Sequence, residues 1–409
     1  MAERLVIHGG EVITCAGTEV ISDGVVVVEG ERIAQVRPAS GFDLDGARAS
    51  SATELVDATG RYVIPGLINM HEHLDNHRGT GSFYERAAQS SHFCILRAAR
   101  NALVSLARGV TTVRDVGSLN QTNIVMHNAI EGGQLLGPRV FPCGRPIGMT
   151  GGHAEGMTVE ADGVDALRHA ARTELKAGAQ VVKLMASGGF TARGRDFPWS
   201  PQLTEDELRA AIDEAHLAGY TAAAHAHPPA AIRNCVKAGI DTIEHGALMD
   251  ESSAELMEEA GVYLIPTLDE CWVIAEHGRE LGRPAWLIEA SRQKAETQNE
   301  VFALAVKGGV KCAVGTDVAG EMGSEMKHMT GGGMSAHDVL IAATKHGAEA
   351  LKADDRLGTL EAGKLADVVV LGSDPRADLL ACDAPELVVK GGVVHDPATL
   401  LAAIGPTAS

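Results

Sequence analysis

The sequence predicts an α/β fold: a (β/α)8 TIM barrel with a small composite β-sandwich domain formed by the N- and C-terminal segments. Two observations predict the barrel. Eight apolar, strand-like runs lie between residues 62 and 317, and Ala- and Leu-rich helical stretches separate them. The third observation concerns the two ends of the chain, where short β-branched runs are separated by glycine-rich turns. We expect the two ends to pair as one domain that the barrel interrupts.

The eight strand-like runs follow one another in the order expected of βα units. They are YVIPGLINMH, GVTTVRDVG, PRVFPCG, AQVVKLMA, GYTAAAHAH, GIDTIEHG, GVYLIPTL and GVKCAVGTD. A doubly wound open sheet is the alternative, but its G-x-G-x-x-G turn after the first strand is absent. The predicted boundaries are 1–61 and 358–409 for the two parts of the β-sandwich domain and 62–357 for the barrel.

The composition is that of a large acidic protein. Its 409 residues carry a formal net charge of -19, which argues against nucleic acid or an anionic membrane as a partner, because both require a basic surface. The first residues lack the pattern of a secretory signal, and no apolar stretch reaches the ~18 residues of a membrane span. The cysteines are scattered and form no C-x-x-C pair, which is typical of reduced thiols, so we expect a cytoplasmic location.

Polar residues stand at or near the ends of five of these strands. Residues two apart in a strand point the same way, so His71 and His73 can grip a metal ion together, or they can simply open a polar loop. The other residues at strand ends are Lys183, His225, His245 and Asp317. Because the carboxyl ends of barrel strands carry the active site, the sequence predicts that these side chains converge at the mouth of the barrel.

Lys183 has apolar neighbours on both sides, from Val181 to Met185. A lysine in such a strand cannot stay charged and unpaired without a large desolvation cost, and burial favours the neutral amine. A neutral amine reacts with carbon dioxide to form a carbamate, which is a carboxylate that can bridge two cations. The alternative is an ion pair between Lys183 and a nearby Asp or Glu. The histidines and Asp317 favour the interpretation of Lys183 as a ligand.

Several motifs resemble those of the amidohydrolase superfamily, and they occur in that family's order along nearly the whole chain. The motifs are VDATGRYVIPGLINMHEH, RGVTTVRDVG, MTGGHA, VVKLMASGG, HAH, TIEHG, GTD and LGTLEAGKLADVVVL. Within the superfamily they look like the bacterial Xaa-Pro dipeptidase, or prolidase-like, branch, which is related to the imidazolonepropionases. The resemblance implies a barrel with a composite β-sandwich, a homo-oligomer and a binuclear centre of two divalent metal ions, usually zinc.

The resemblance also implies roles for individual residues. One metal ion would be held by His71, His73, carbamylated Lys183 and Asp317, and the other by Lys183, His225 and His245. His153 matches a histidine that touches the substrate carbonyl, or it stabilises its loop.

The remaining candidates concern the substrate pocket. His227 matches a pocket position that is tyrosine in many relatives, and it is a candidate for a substrate contact. Arg193 and Arg195 can hold a substrate carboxylate, or they belong to a solvated loop. Trp199 and its aromatic neighbours either form an apolar wall of the pocket or anchor the same loop. This loop, SGGFTARGRDFPWSP, departs from the pattern of the relatives.

The function predicted from these residues is a metal-dependent amidohydrolase. It would cleave an amide-type C–N bond, that of a dipeptide or an N-acyl amino acid, with a metal-bridging hydroxide as the nucleophile. Asp317 would act as general base and then as general acid, and His153 would stabilise the oxyanion. The alternatives are a hydrolase of a cyclic amide, carbamate, urea or xenobiotic amide on the same binuclear site, and a non-catalytic scaffold of the same family.

Overall fold

The computed structural model describes residues 4–76, 88–190, 196–318 and 321–404. The strands in these ranges are β1 Arg4–Ile13, β2 Val20–Glu29, β3 Arg32–Pro38, β4 Thr53–Asp57, β5 Tyr62–Pro65, β6 Leu67–Glu72, β7 Val110–Asp115, β8 Arg139–Pro142, β9 Ile147–Gly148, β10 Val159–Glu160, β11 Val181–Met185, β12 Thr221–Ala226, β13 Thr242–His245, β14 Tyr263–Ile265, β15 Val368–Leu371, β16 Leu387–Lys390 and β17 Val393–His395. The α-helices are α1 Leu44–Ala49, α2 Ser91–Ala107, α3 Thr122–Glu131, α4 Val164–Ala177, α5 Glu205–Leu217, α6 Pro229–Ala238, α7 Glu251–Ala260, α8 Asp269–His277, α9 Ala285–Lys307, α10 Met322–Gly331, α11 Ala336–Ile341, α12 Gly347–Ala350 and α13 Pro397–Ala402.

The two ends of the chain share one sheet. Its strand order is β17-β16-β15-β5-β1-β2-β3, and β4 pairs with β1 in parallel. The junction between the two ends is the antiparallel pair of β5 and β15, in which Ile64 lies opposite Val369. Buried side chains from both ends, among them Val28, Val63 and Val389, pack in one apolar cluster. The N- and C-terminal segments therefore stabilise each other through backbone hydrogen bonds and a shared apolar core.

A second set of strands is parallel and alternates with helices. It comprises β6-β7-β8 and the run β10-β9-β11-β12-β13-β14. Gln180 N donates to Pro142 O at 2.7 Å, which links β8 to the start of β11. At the other end, Ala313 N donates to Leu264 O at 3.0 Å, and Met70 N donates to Val314 O at 2.8 Å. The segment 311–316 therefore lies between β14 and β6.

Two of the predicted strands differ from the expected form. The run YVIPGLINMH is divided at Gly66, and β5 joins the terminal sheet while β6 joins the parallel strands. Gly66 allows this close crossing, because a Cβ atom there would lie 2.1 Å from Thr111 Oγ1. The run GVKCAVGTD forms only an isolated bridge between Cys312 and Leu264. It passes close to β6, where a Cβ atom on Gly315 would lie 2.6 Å from His71 Cβ.

Strand β11 shows how the parallel strands serve two layers. Val182 and Leu184 belong to the main apolar cluster, which includes Leu167 of α4. Val181 belongs to a different cluster, which includes Met70 of β6, Ala223 of β12 and Ile265 of β14. Since side chains alternate along a strand, Lys183 lies on the same face as Val181 and not on the helix-facing side. The lysine is therefore enclosed by strands.

The longest helix is α9, with 23 residues. Its length would suffice for a bilayer of ~30 Å, but charged side chains such as Glu289, Arg292 and Lys294 interrupt its apolar residues. Among the residues that the structure describes, no helix is long and apolar enough to cross a membrane.

We expect the Arg139–Asp367 ion pair to stabilise the junction between the terminal sheet and the parallel strands. Arg139 Nη1 lies 2.9 Å from Asp367 Oδ2, and both side chains are largely buried. Asp367→Ala would leave a buried guanidinium unpaired and remove the acceptor for Gly391 N, so we expect a loss of about 3 kcal/mol in the free energy of unfolding. Urea titration checks this, with Glu289→Ala, which breaks the exposed pair with Arg292, as the matched control. Equal unfolding midpoints for the two variants would contradict the prediction.

Candidate metal centre

The predicted ligands come from neighbouring strands that end at one rim. In the strand register, Met185 of β11 lies opposite His225 of β12, and Ala226 lies opposite His245 of β13. The backbone N–H groups of Thr316 and Asp317 both donate to the carbonyl oxygen of His71. Parallel pairing therefore brings side chains that are far apart in the sequence to the same rim.

Three of these side chains form a compact group of donor atoms. One ligand atom each from His71, His245 and Asp317 lies within 4.8 Å of the others. His71 Nε2 and His73 Nε2 are each 3.5 Å from Asp317 Oδ1. The two ring centroids of His71 and His245 are 4.9 Å apart. The structure thus brings three of the predicted histidines, His71, His73 and His245, around the Asp317 carboxylate.

The other ring nitrogen of each of these histidines has its own partner. His71 Nδ1 lies 2.7 Å from Glu244 Oε2, and His73 Nδ1 lies 2.6 Å from Gly117 O. His245 Nδ1 lies 2.6 Å from Thr267 Oγ1. Histidines that bind metals are usually held in this way, with the outer nitrogen bonded to a carboxylate, carbonyl or hydroxyl. In His71 and His73 this leaves Nε2 directed at Asp317.

Glu244 is the partner that the sequence analysis missed. Its side chain is fully buried, and it accepts hydrogen bonds from Arg114 Nη2 at 2.7 Å and from Thr242 Oγ1 at 2.5 Å. Burial alone would raise the pKa of Glu244, but Arg114 and His71 outweigh it and lower the pKa to about 2. Glu244 is therefore ionised. The available signal was an acidic residue within an apolar strand, immediately before His245.

Lys183 is 2% exposed, and the charges of Glu244 and Arg114 act on it. Burial lowers the pKa of Lys183, the positive charge of Arg114 lowers it further, and Glu244 opposes both. In the described parts of the chain, no carboxylate oxygen lies within 4.0 Å of Lys183 Nζ, so the alternative of a direct ion pair is not found there. The lysine is therefore suited to the neutral amine form.

His225 lies in a group of stacked and perpendicular rings. Its centroid is 4.2 Å from that of His153, 4.6 Å from His227 and 4.8 Å from His245. Burial, with the neighbouring basic groups, lowers the pKa of His225, His227 and His245 well below the usual value. These rings are neutral, which is the form that binds metal ions. His225 Nε2 itself lies 3.1 Å from Gly188 O.

His153 is held by a carboxylate that the sequence analysis did not single out. His153 Nδ1 lies 2.7 Å from Asp196 Oδ2, and both residues are buried. Asp196 Oδ1 in turn accepts hydrogen bonds from Gly189 N and Gln202 Nε2. Asp196 therefore fixes the orientation of the His153 ring beside His225.

The predicted substrate contacts differ in how deeply they are buried. His227 is buried beside His225 and His245, and the ring of Phe190 contacts it at 4.9 Å. Trp199 is 64% exposed and stacks on Phe197 with centroids 4.9 Å apart. The other two candidates, Arg193 and Arg195, lie outside the described residues.

Two of the predicted ligands have a left-handed backbone conformation. His245 and Asp317 have φ angles of 68° and 67°, and Thr267, which holds His245, has a φ angle of 49°. A non-glycine residue in this left-handed region costs of order 1–3 kcal/mol, and such residues cluster at functional sites. The conformation turns both ligands out of their strand direction at the rim.

The chemistry of this donor set fits a divalent cation. Neutral imidazole nitrogens and an ionised carboxylate are the usual ligands of zinc and related ions. Burial alone would raise the pKa of Asp317, but the hydrogen bond from His71 and the neighbouring basic groups outweigh it and lower the pKa, so its carboxylate is ionised. His71, His73, His245 and Asp317 offer such atoms at one point.

Comparison with known proteins gives consistent matches over most of the chain. The model of the Amidohydrolase family matches residues 62–396. An ochratoxinase from Aspergillus niger is 28% identical over 428 aligned positions, which cover 96% of this chain and 86% of that protein. An imidazolonepropionase from Hyphomonas neptunium is 25% identical, over 89% of this chain and 91% of that protein. A solved Xaa-Pro dipeptidase with methionine bound in its active site has a TM-score of 0.86 at 28% identity, and the match covers 96% of this chain and 100% of that chain.

The resemblance predicted from the sequence motifs is therefore confirmed, and so is the α/β class of the fold. The relatives also confirm that the protein is an enzyme, a hydrolase that acts on C–N bonds. Because the family model covers far more than half of the 409 residues, the chain belongs to the amidohydrolase family.

Proposed function

We propose that this chain is a metal-dependent amidohydrolase that cleaves the amide-type C–N bond of a dipeptide or an N-acyl amino acid. The observation that carries the proposal is the group of His71, His245 and Asp317, whose ligand atoms lie within 4.8 Å of one another. The named relatives support the substrate class, since one is an ochratoxinase and another is a Xaa-Pro dipeptidase with an amino acid in its active site.

We infer a (β/α)8 barrel and a composite β-sandwich as the architecture that carries this site. The hydrogen bonds of Gln180, Ala313 and Met70, which join the two groups of parallel strands at both ends, support the barrel. The pairing of β5 with β15 supports a domain built from both ends of the chain.

The proposed centre holds two divalent ions, with zinc as the expected metal. Its ligands are His71, His73, Asp317, His225, His245 and Lys183 in its N6-carboxylated form. The lowered pKa of Lys183 supports the last assignment, because only the neutral amine forms a carbamate. When bound, such ions polarise a carbonyl group and lower the pKa of a coordinated water to ~7.

The side chains of the site supply the proton transfers. Asp317 is ionised and lies 3.5 Å from the rings of His71 and His73, so its carboxylate takes the proton of the attacking water and passes it to the leaving nitrogen. His153 donates Nδ1–H to Asp196, and in its doubly protonated form it presents Nε2–H as a donor to the developing oxyanion.

Metal removal tests the proposal. We expect dialysis against a chelator to abolish hydrolysis across a panel of dipeptides, N-acyl amino acids, lactams and carbamates, and zinc, cobalt or manganese to restore it. Metal content per chain is measured on the same samples. Undiminished turnover by metal-free protein would contradict the metal-dependent mechanism, and activity on lactams or carbamates alone would contradict the substrate class.

Lys183→Ala tests the carbamate. We expect this variant to lose bound metal and activity together, because the bridging carboxylate is absent, and short carboxylic acids to restore part of both. Lys311→Ala is the matched control, since Lys311 is an exposed lysine paired with Glu349 at 3.3 Å. Retention of full metal content by Lys183→Ala would show that Lys183 is not a ligand.

His153→Ala and Asp196→Asn test the oxyanion assignment. Removal of one such donor lowers kcat about 10²-fold, so we expect this effect for His153→Ala at unchanged metal content. Asp196→Asn keeps the ring but loses the charged partner, and its loss should be smaller. Asp162→Asn is the control, because Asp162 accepts hydrogen bonds from Thr150 at the surface. Unchanged kcat in His153→Ala would refute the role.

A further inference from the structure

We propose that Lys294 and His227 form a subsite for the carboxylate group of the substrate, on the amino-acid side of the scissile bond. The inference rests on the proposed function and names the group that selects the substrate. It assigns a role to Lys294, a residue of α9 that the sequence motifs do not include.

The subsite begins at the metal centre and extends to α9. The ring of His227 lies 5.2 Å from that of His245 and is nearly parallel to it. Phe190 packs its ring against His227 at 4.9 Å and at 81°. Lys294 Nζ lies 5.3 Å from the centroid of Phe190. Lys294 therefore reaches the side of the metal centre on which His227 lies.

The two polar groups of this subsite lack the partners expected of buried groups. His227 is 2% exposed, and no hydrogen-bond partner of its Nδ1 atom is found among the described residues. A buried polar atom without a partner is costly unless a ligand or water satisfies it, so the atom indicates a binding position. Lys294 is half-buried, and within the described ranges no carboxylate lies within 4.0 Å of its ammonium group. The ammonium group of Lys294 interacts with the thiol of Cys271.

The charge of Lys294 is felt at the site. Burial is the main cause of the lowered pKa of His227 and His245, and the positive charge of Lys294 lowers both further. A positive charge next to a ring N–H donor is the arrangement that binds a carboxylate.

The occupant that fits this subsite is an amino-acid carboxylate. A substrate whose scissile carbonyl lies at the metal centre would extend its leaving half toward His227. A free α-carboxylate there satisfies both His227 Nδ1 and Lys294 Nζ. A carboxamide at the same place brings no charge and leaves the ammonium group unneutralised. We therefore infer that the enzyme prefers free acids to the corresponding amides.

The first test compares two substrates that differ only in this group, namely the best N-acyl amino acid of the panel and its C-terminal carboxamide. Lys294→Met should lower kcat/KM for the free acid by about 10- to 100-fold, mainly through KM, because a hydrogen bond to a charged group is lost. It should change kcat/KM for the carboxamide little. Lys294→Arg should retain most of the preference. Arg292→Met, two residues earlier on α9, is the matched control.

The second test separates this inference from the proposed function. Binding of L-leucine and of L-leucinol, which differ in the carboxylate and contain no amide bond, is measured by calorimetry on the protein as purified. We expect wild-type protein to prefer L-leucine and both Lys294→Met and His227→Phe to lose the preference. Equal binding of the two compounds by wild-type protein, binding of neither, or an undiminished preference in Lys294→Met would overturn the subsite. Absence of hydrolysis across the amide panel would instead overturn the proposed function.

Discussion

The Glu244 carboxylate, buried between the guanidinium of Arg114 and the imidazole of His71, is the interaction on which the site depends. Arg114 also donates to Met70 O at 2.6 Å, so this one group connects β6, β7 and β13. Removal of Arg114 would leave the buried carboxylate of Glu244 without a compensating charge, and removal of Glu244 would do the same to the buried guanidinium of Arg114. The network therefore fixes the position of His71 before any metal ion binds.

The rest of the centre follows the same pattern, in which rigid partners hold the outer nitrogen of each ring. Gly117 O holds His73, and Thr267 Oγ1 holds His245. The left-handed backbone of His245 and Asp317 is tolerated because flanking strands and hydrogen bonds determine the position of these residues. Pre-organisation of this kind lowers the cost of assembling the ligands around an ion.

The parallel strands and their ligands could be predicted because apolar alternation and strand-end histidines are local features of the sequence. Seven of the eight runs form regular strands, and the eighth is reduced to a bridge at Cys312 and passes close to His71 at Gly315. The partners of these ligands could not be predicted. Glu244 on β13 contacts Arg114 on β7 through the folded arrangement of two strands that are far apart in the sequence. Asp196 contacts His153 from an irregular loop.

The sheet shared by the two ends of the chain has a consequence for biosynthesis. Ile64 pairs with Val369, so β5 acquires this neighbour only after residue 369 has left the ribosome. Strand β6, which carries His71, follows β5 after one glycine. Contacts between such distant residues form slowly and leave apolar strands exposed in the meantime. The strand that leads into β6 therefore lacks its β15 neighbour until residue 369 has been synthesised, and its apolar side chains are open to aggregation in that interval.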